Sequence, residues 1–514
     1  MNAVDLSLFS ARLDAICAEM GAILRRSAVS PNIRDRGDYS CALFDGTGEL
    51  VAQAAHIPVH LGSMAFAMRD VVRRFDWRDG DLLLFNDPRL GGTHLPDITA
   101  VMPLCIDSTP IAFAVSRAHH ADVGGLRPGS MGLCSRLEEE GVVLAPDWWW
   151  RAGEEQPAAI APLLARARNP EERRCDLSAQ RAACMAGVRR LRALHEDAPL
   201  PARFARLMAV SERYGRRGIA AIPDGCYRHE ELLDDDGLGH GPLPLRVALT
   251  VSGTEATVDF TGTAPACAGP FNCPLAVTAA AVYYLFRCLM PPETPQTAAV
   301  FRPIRIIAEP GSLLHAVGDV AVAGGNVETS QRVVDLLLGA LARALPGRMP
   351  AQSQGTMNNV LFGGDDWVYY ETLGGGMGAS PGCAGQSAVQ CHMTNTANTS
   401  IELLEMHYPL RVERYAVRRG SGGAGRHRGG DGLIRSWRVL SPCALTLLSE
   451  RRSSAPQGAA GGAPGAPGEN LLLRDGRERR LPAKCELALR PGDLLTVATP
   501  GGGGWGAADA EEGR

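Results

Sequence analysis

Glycine is the residue that most restricts how the later part of this chain can fold. The 514-residue sequence contains 59 glycines. In the last third of the chain they gather in clusters at 374–376, 421–432, 458–468 and 501–504, with short apolar runs between them. Because glycine weakens helices and supplies tight turns and bulges, the segment 346–514 is predicted to be dominated by β-structure.

The first part of the chain has a different pattern, in which short strand-like runs alternate with helical segments. Residues 5–26 keep apolar side chains at helical spacing, and 63–75 is predicted to be a helix that begins at a serine. The runs 40–44 and 49–53 flank the turn sequence DGTG, which predicts a hairpin. Local hairpins with interspersed helices predict an α+β protein rather than a regular βαβ alternation.

Changes in composition divide the chain into three predicted domains. A metal-site α+β domain covers 1–200, an α+β middle domain covers 201–345, and the glycine-rich β domain covers 346–514. The segment 148–174 is rich in Ala, Arg and Glu and is predicted to be helical and exposed. Its Trp148–Trp150 run is a candidate partner surface, since tryptophan is enriched at interfaces.

Composition also excludes several classes of function. The net charge is 52 − 56 = −4, which offers no basic surface for nucleic acid, and no apolar run is long enough to span a membrane. The start of the chain lacks the pattern of a secretory signal, and the cysteines form no C-x-x-C pair, so reduced thiols in a cytoplasmic protein are expected. The single lysine, Lys484, is not part of a Gly-Lys-Ser/Thr phosphate loop, so this chain is not expected to bind ATP by that motif.

Histidine and aspartate concentrate near the start of the chain. The first 120 residues contain five of the twelve histidines: His56, His60, His94, His119 and His120. Aspartates lie in the same polar, glycine-containing segments, and cysteine is absent from them. Nitrogen and oxygen ligands without thiolate favour an open catalytic site for Zn, Mn or Fe over a closed structural zinc site.

Hairpin geometry predicts which of these side chains meet. If 98–104 and 111–116 pair as antiparallel strands, the numbers of paired residues sum to about 215, and Asp97 faces Ala118. The open end of this hairpin then gathers His94, Asp97, His119 and Asp122. A metal site is the favoured interpretation, and isolated surface histidines are the alternative.

A second set of side chains is predicted near the first hairpin. The same arithmetic around the DGTG turn places Asp38 opposite Ala55, beside His56. His56 and His60 are four residues apart, but Pro58 between them argues against one continuous helix that presents both as ligands. A structural or supporting role is therefore expected for this pair.

The same segments carry a family resemblance over nearly the whole chain. The motifs include NDPRLGGTHLPDITAVMPL, RAHHADVGGLRPGSM, DFTGTAPACAGPFNCP, AGGNVETSQRVVD, YYETLGGGMGASPG and the terminal TPGGGGWG. In this order they resemble the B-type subunits of the hydantoinase/oxoprolinase family, of the N-methylhydantoinase kind. Subunits of acetone and acetophenone carboxylases are related to the same family.

The resemblance implies a function, a partner and a ligand set. Family members open lactam or hydantoin rings in an ATP-dependent hydrolysis, and the ATP is handled by a separate A-type subunit. Carried onto matching positions, the family's metal ligands are His94, Asp97 and His119, with Asp38 as a further candidate. One divalent metal and a hetero-oligomer are therefore expected.

The working hypothesis is a catalytic B-type subunit of an ATP-dependent cyclic-amide hydrolase. The partner would phosphorylate the substrate carbonyl, the metal would polarise oxygen or supply hydroxide, and His120 or Asp122 would move protons. One alternative is a ketone carboxylase subunit, in which the metal would orient an enolate. Another is a scaffold subunit without catalytic function, whose histidines are structural.

Overall fold

A computed structural model of the chain describes residues 3–54 and 56–508. Its helices are α1 (Ala3–Ser27), α2 (Pro31–Arg34), α3 (Pro58–Arg74), α4 (Leu137–Glu140), α5 (Ala161–Arg166), α6 (Pro170–Asp197), α7 (Leu200–Ala220), α8 (Leu275–Cys288), α9 (Ser330–Ala344) and α10 (Ile401–His407).

The strands up to the middle of the chain are β1 (Tyr39–Asp45), β2 (Leu50–Gln53), β3 (Leu82–Phe85), β4 (Asp97–Ile106), β5 (Thr109–His119), β6 (Asp147–Arg151), β7 (Glu154–Glu155), β8 (Gly225–Leu233), β9 (Leu243–Ser252), β10 (Glu255–Asp259) and β11 (Ile304–Ile307). The later strands are β12 (Asn359–Gly363), β13 (Val368–Thr372), β14 (Leu410–Arg418), β15 (Gly432–Val439), β16 (Cys443–Leu448), β17 (Glu469–Arg474), β18 (Arg477–Leu481), β19 (Lys484–Leu489) and β20 (Leu494–Ala498).

A seven-stranded sheet in the order β2-β1-β5-β4-β3-β6-β7 forms the N-terminal part. Helices α1 and α6 cover one face, where Leu13 and Leu177 belong to the same apolar core as Leu43 of β1. Helix α3 covers the other face, with Met68 packed in one cluster with Phe113. Strands β4 and β5 are therefore buried on both faces, which explains their nearly continuous apolar sequence.

The middle of the chain forms a four-stranded sheet in the order β11-β10-β9-β8, in which β10 and β11 are parallel. Helices α8 and α9 supply apolar side chains to its core, which also includes Ile57 and Val59 from the start of α3. Gly62 of α3 lies so close to α8 that an added Cβ would be 2.4 Å from the Ala280 Cα. The helix α3 therefore connects the N-terminal sheet with the middle sheet.

The glycine-rich part contains two further sheets, in the orders β13-β12-β16-β19 and β14-β15-β20-β17-β18. Phe362, Leu445 and Trp437 belong to the core between them. The glycine clusters do more than make turns, because their backbones pack directly on one another. A Cβ added to Gly502 would lie 2.2 Å from the Met377 carbonyl oxygen, so no larger side chain fits there.

The predicted α+β class is confirmed, whereas two local predictions are wrong. Helix α3 begins at Pro58, not at Ser63, because a proline in the first turn needs no N–H partner. The Trp148–Trp150 run is not helical but lies in β6, which pairs with β3, and Trp149 is buried. The division at residues 200 and 345 stays a prediction. Within the described residues, no helix has the length and apolarity needed to cross a membrane.

Candidate metal centre

The register of the β4–β5 hairpin brings an aspartate and a histidine face to face. Near the turn, Cys105 pairs with Pro110, in agreement with the predicted sum. An irregularity between Leu104 and Cys105 then shifts the pairing by one residue, so Asp97 pairs with His119 instead of Ala118. The predicted partner was wrong because an extra residue in one strand cannot be read from a simple count.

Three buried side chains converge at this end of the hairpin. His94 Nε2, His119 Nδ1 and Asp97 Oδ1 form a triangle in which each pair of atoms is 3.2 Å apart. His94 lies in the turn before β4, and its carbonyl oxygen accepts a hydrogen bond from the Asp97 N–H. The local chain therefore holds the first two side chains, and strand pairing supplies the third.

The triangle has the dimensions of three ligands around one small cation. Donor atoms about 2.0–2.2 Å from a metal, with tetrahedral or octahedral angles, are separated by about 2.8–3.6 Å. Hydrogen bonds among these three atoms satisfy them less well than a cation would. The reason is that the two imidazole nitrogens face each other as well as the Asp97 carboxylate. His94 Nδ1 and His119 Nε2 are also buried without a hydrogen-bond partner among the described residues. The residues present thus fit a divalent cation with nitrogen and oxygen ligands.

The charge of Asp97 is stabilised by its neighbours. Burial alone would raise its pKa, but the facing His94 and His60 hold the pKa well below its usual value. Burial lowers the pKa of His119, against the opposing effect of Asp97. An ionised carboxylate and neutral imidazoles are the forms that bind metal ions.

His60 and Asp38 complete the surroundings of Asp97. His60, from α3, places Nε2 3.1 Å from Asp97 Oδ2 and 3.9 Å from Asp38 Oδ1. Thr93 Oγ1 donates to the same Asp97 oxygen. The second carboxylate oxygen is therefore held by protein groups while Oδ1 faces the two other histidines.

Asp38 reaches this site by a route that differs from the predicted one. Its backbone carbonyl accepts the His119 N–H at 3.0 Å, which extends the pairing of β1 with β5. The proposed partner Ala55 lies outside the described residues. His56 is not part of the triangle, and its Nδ1 accepts the Cys41 N–H at 3.0 Å instead.

The two residues proposed to move protons lie elsewhere. His120 Nε2 is 2.9 Å from Gln180 Oε1 on α6, and burial lowers the His120 pKa to about 4. The Asp122 carboxylate accepts four hydrogen bonds, from the N–H groups of Gly124 and Gly129 and from the backbone and side chain of Arg168. The structure does not bring either residue into the triangle, and the bonding of Asp122 favours a structural role.

A small, partly open cavity adjoins the triangle and is lined by segments from distant parts of the chain. Its wall includes Asp38, His60, His94, His119, Asn326, Met357, Tyr370, Thr372, Met393, Thr394 and Thr396. The free space there is about 290 Å³ when the part open to solvent is included, but the centre of a water molecule can occupy only about 20 Å³ of it. That is room for roughly one water molecule.

Tyr370 comes from a distant segment of the chain and contacts a candidate ligand directly. Its ring stacks on the His119 ring, with centroids 5.0 Å apart and planes at 29°. Its hydroxyl donates to Asn359 Oδ1 at 2.9 Å, and Asn359 Nδ2 donates to Glu328 Oε1 at 2.7 Å. Burial raises the pKa of Glu328 to about 8. This chain of side chains fixes the Tyr370 ring, and through it the plane of His119.

The sequence matches a known protein family over nearly its whole length. The family model described as hydantoinase B/oxoprolinase matches residues 2–508. This chain belongs to the hydantoinase B/oxoprolinase family. It is 38% identical to 5-oxoprolinase 1 of Arabidopsis thaliana over 98% of this chain, but it spans only 42% of that protein's length. It is 30% identical to a Pseudomonas protein named as the putative B component of a D-/L-hydantoinase, over 98% of this chain and 90% of that protein.

Two solved structures share the fold of this hydantoinase B/oxoprolinase family member. The ATP-dependent caprolactamase of Pseudomonas jessenii matches with a TM-score of 0.92 and 27% identity, over 99% of this chain and 91% of that chain. Nucleotide-free acetone carboxylase matches with a TM-score of 0.89 and 17% identity, over 98% of this chain and 76% of that chain, which shows a common fold alone.

Sequence reasoning about this family member did not single out Asn326, Tyr370 or the threonines of the cavity wall. They lie far from the histidine-rich segments, and no local periodicity marks them. The only available signal was the family motifs, since AGGNVETSQRVVD contains Asn326 and YYETLGGGMGASPG contains Tyr370. Motifs indicate that a segment matters, whereas only the packing indicates which side chain meets the site.

Proposed function

We propose that this chain is the metal-binding subunit of an ATP-dependent hydrolase that opens cyclic amides. The observation that carries the proposal is the buried triangle of His94 Nε2, Asp97 Oδ1 and His119 Nδ1, with edges of 3.2 Å. Relatives at 30% identity or more are named as 5-oxoprolinases and as a hydantoinase component, which supports a cyclic-amide substrate.

The chain's own residues divide the work between binding and orientation. His94, Asp97 and His119 would hold the cation, and Asp38 lies in the wall of the adjoining cavity. When bound, a divalent cation supplies Lewis-acid polarisation of an amide oxygen or of water. His60 and Thr93 hold the second oxygen of Asp97, so the carboxylate cannot rotate away.

The buried position of the triangle also contributes to the chemistry. His94, Asp97 and His119 are all at most 2% exposed. Electrostatic interactions are stronger where water is excluded, and a reactive acyl group is protected there from hydrolysis in bulk solvent. Hydrolysis adds one water molecule across the C–N bond of the ring, which leaves a free carboxylate and an amine.

We assign the ATP-dependent step to a partner of the A type. The sequence lacks a Gly-Lys-Ser/Thr loop, and Lys484 is buried in contact with Glu450. The chain spans 42% of the Arabidopsis oxoprolinase but 90% of the Pseudomonas hydantoinase component. This difference supports an arrangement in which the ATP-handling part is fused in some relatives and a separate polypeptide in others.

The proposal is tested on the co-expressed pair of this chain and its A-type partner. Ring opening and ADP release are measured with 5-oxoproline, hydantoin and ε-caprolactam, with and without bicarbonate, and metal content is measured on the same sample. The His94→Ala pair should lose both metal and turnover, whereas the matched control His407→Ala, at an exposed position, should keep both.

Three results would contradict the proposal. Turnover of a ketone that requires bicarbonate would make the complex a carboxylase. Ring opening by the chain alone without ATP would remove the role of the partner. Full activity of a metal-free pair would show that the triangle has no catalytic metal, as expected if this chain is a scaffold subunit with structural histidines.

A further inference from the structure

We propose that Asn326 positions the substrate by pairing its side-chain carboxamide with the amide edge of the ring. This inference rests on the proposed function and names a residue that recognises the substrate class. Asn326 lines the same cavity as His94 and His119, and its side-chain oxygen makes no hydrogen bond within the described part of the chain.

The backbone of Asn326 makes hydrogen bonds within the fold, whereas its side-chain oxygen does not. The backbone N–H donates to the Val322 carbonyl at 3.1 Å, and the backbone carbonyl accepts from Ser330 Oγ at 2.6 Å. In contrast, Oδ1 is buried and has no partner among the described residues. A buried acceptor without a partner is unfavourable, so this oxygen calls for a ligand that satisfies it.

The backbone around Asn326 has an unusual form. Residues Gly325–Thr329 form one turn of π-helix immediately before α9. Such turns are rare and occur frequently at functional sites, because they displace a side chain from the regular helical position. Here the displaced turn brings Asn326 to the cavity wall.

Close packing fixes the position of this turn. A Cβ added to Gly325 would lie 1.9 Å from the Asn272 carbonyl oxygen, so the two backbones touch. Thr329 Oγ1 donates to the Phe271 carbonyl at 2.6 Å, from the same neighbouring loop. Rigid support of this kind is what a residue that must hold a substrate needs.

The chemistry of a carboxamide matches that of a cyclic amide. A small ring forces its amide bond into the cis form, so the N–H and the carbonyl oxygen point to the same side. A side-chain carboxamide presents one acceptor and one donor at the same spacing and can form both hydrogen bonds at once. A linear amide is almost always trans and places the two groups on opposite sides. Asn326 therefore distinguishes cyclic from linear amides.

The cavity wall also provides a way to admit a ring. The free space now holds roughly one water molecule, so binding a lactam requires some side chains to move. Met357 and Met393 lie in the wall, and the unbranched side chain of methionine repacks easily. The carboxamide stays in place on its fixed turn while the methionines adapt to the ring.

The experiment uses the metal-loaded pair without ATP and measures dissociation constants by calorimetry. The probes are 5-oxo-L-proline and its N-methyl derivative, which lacks the N–H. Wild type should bind 5-oxo-L-proline about tenfold more tightly than the N-methyl form. Asn326→Asp keeps the shape but loses the donor and repels the carbonyl oxygen, and Asn326→Ser removes the carboxamide. Both should weaken binding of 5-oxo-L-proline about tenfold or more and abolish the discrimination.

Asn395→Asp is the matched control, because Asn395 is exposed and lies between the wall residues Thr394 and Thr396. This variant should behave as wild type, and all four proteins should contain the same amount of metal. If both Asn326 variants retain the wild-type discrimination while the pair opens cyclic amides, the inference is wrong and the proposed function stands. If the wild-type pair opens no cyclic amide, the proposed function fails and the inference fails with it.

Discussion

His119 and His120 are neighbours in the sequence, but their side chains belong to two clusters of opposite character. His119 meets His94 and Asp97, where three donor atoms lie 3.2 Å apart and two ring nitrogens have no partner among the described residues. His120 meets Gln180, and the nearby Asp122 accepts four hydrogen bonds. The histidine and aspartate side chains of both places are buried.

The two clusters differ in whether their carboxylates find hydrogen-bond donors within the protein. Around Asp122, four N–H donors of the protein satisfy the carboxylate itself, so this carboxylate requires no ligand, although the neighbouring His120 Nδ1 has no partner among the described residues. Around Asp97, two imidazole nitrogens and one carboxylate oxygen converge instead. No N–H or O–H donor from another residue of the described part of the chain lies between these three atoms. Composition cannot separate a structural cluster from a ligand site, whereas the pairing of individual atoms can.

The largest effect is expected for His119→Ala, which removes one corner of the triangle. Loss of a ligand should reduce metal affinity by more than about 100-fold, since changes to supporting residues alone cost about 10–100-fold. Metal analysis after dialysis measures this, and circular dichroism checks that the variant remains folded. Full metal occupancy in the folded variant would show that His119 is not a ligand.

Asp122→Asn should affect stability rather than metal binding. The side-chain NH2 group of the new asparagine would face N–H donors that now reach the carboxylate, and donors would then meet donors. The bond to the partly exposed Arg168 side chain would also weaken. We expect a loss of about 2–3 kcal/mol in the free energy of unfolding, measured by denaturant titration of the isolated chain. Metal loss without a change in stability would instead place Asp122 in the same functional unit as the triangle.

His60→Gln tests a residue that supports a metal ligand without being one of the three ligands itself. His60 lies 3.1 Å from Asp97 Oδ2, and the substitution weakens its hold on that oxygen without removing a triangle atom. Metal affinity should fall by about tenfold, which is less than for His119→Ala. A loss equal to that of His119→Ala would indicate that His60 itself binds the cation.

The smallest effect is expected for His120→Gln. Within the described residues the side chain has one hydrogen bond, to Gln180, and replacement by a glutamine of similar size should cost roughly 1 kcal/mol of stability. Metal content should not change, and turnover by the pair should stay within about threefold of wild type. Loss of turnover with metal retained would support the expectation, drawn from the sequence, that His120 moves protons.

Much of the local structure followed from the sequence because short hairpins depend on nearby residues. The turn sequence DGTG connects β1 and β2 as expected. The β4–β5 pairing was predicted to within one residue. The Trp148–Trp150 run was misread, because tertiary packing against Trp77 and Phe75 makes it a strand despite its helical-looking surroundings.

By itself, the sequence determined that His94, Asp97 and His119 meet, since a turn and one hairpin bring them together. Only the tertiary structure decided that Asp97 pairs with His119, because the irregularity at Leu104 and Cys105 depends on the sheet around it. The tertiary structure also brought His60, Tyr370 and Asn326 to the site. Those side chains arrive on separate helices and strands, and their meeting depends on how large apolar surfaces pack, which no short stretch of sequence encodes.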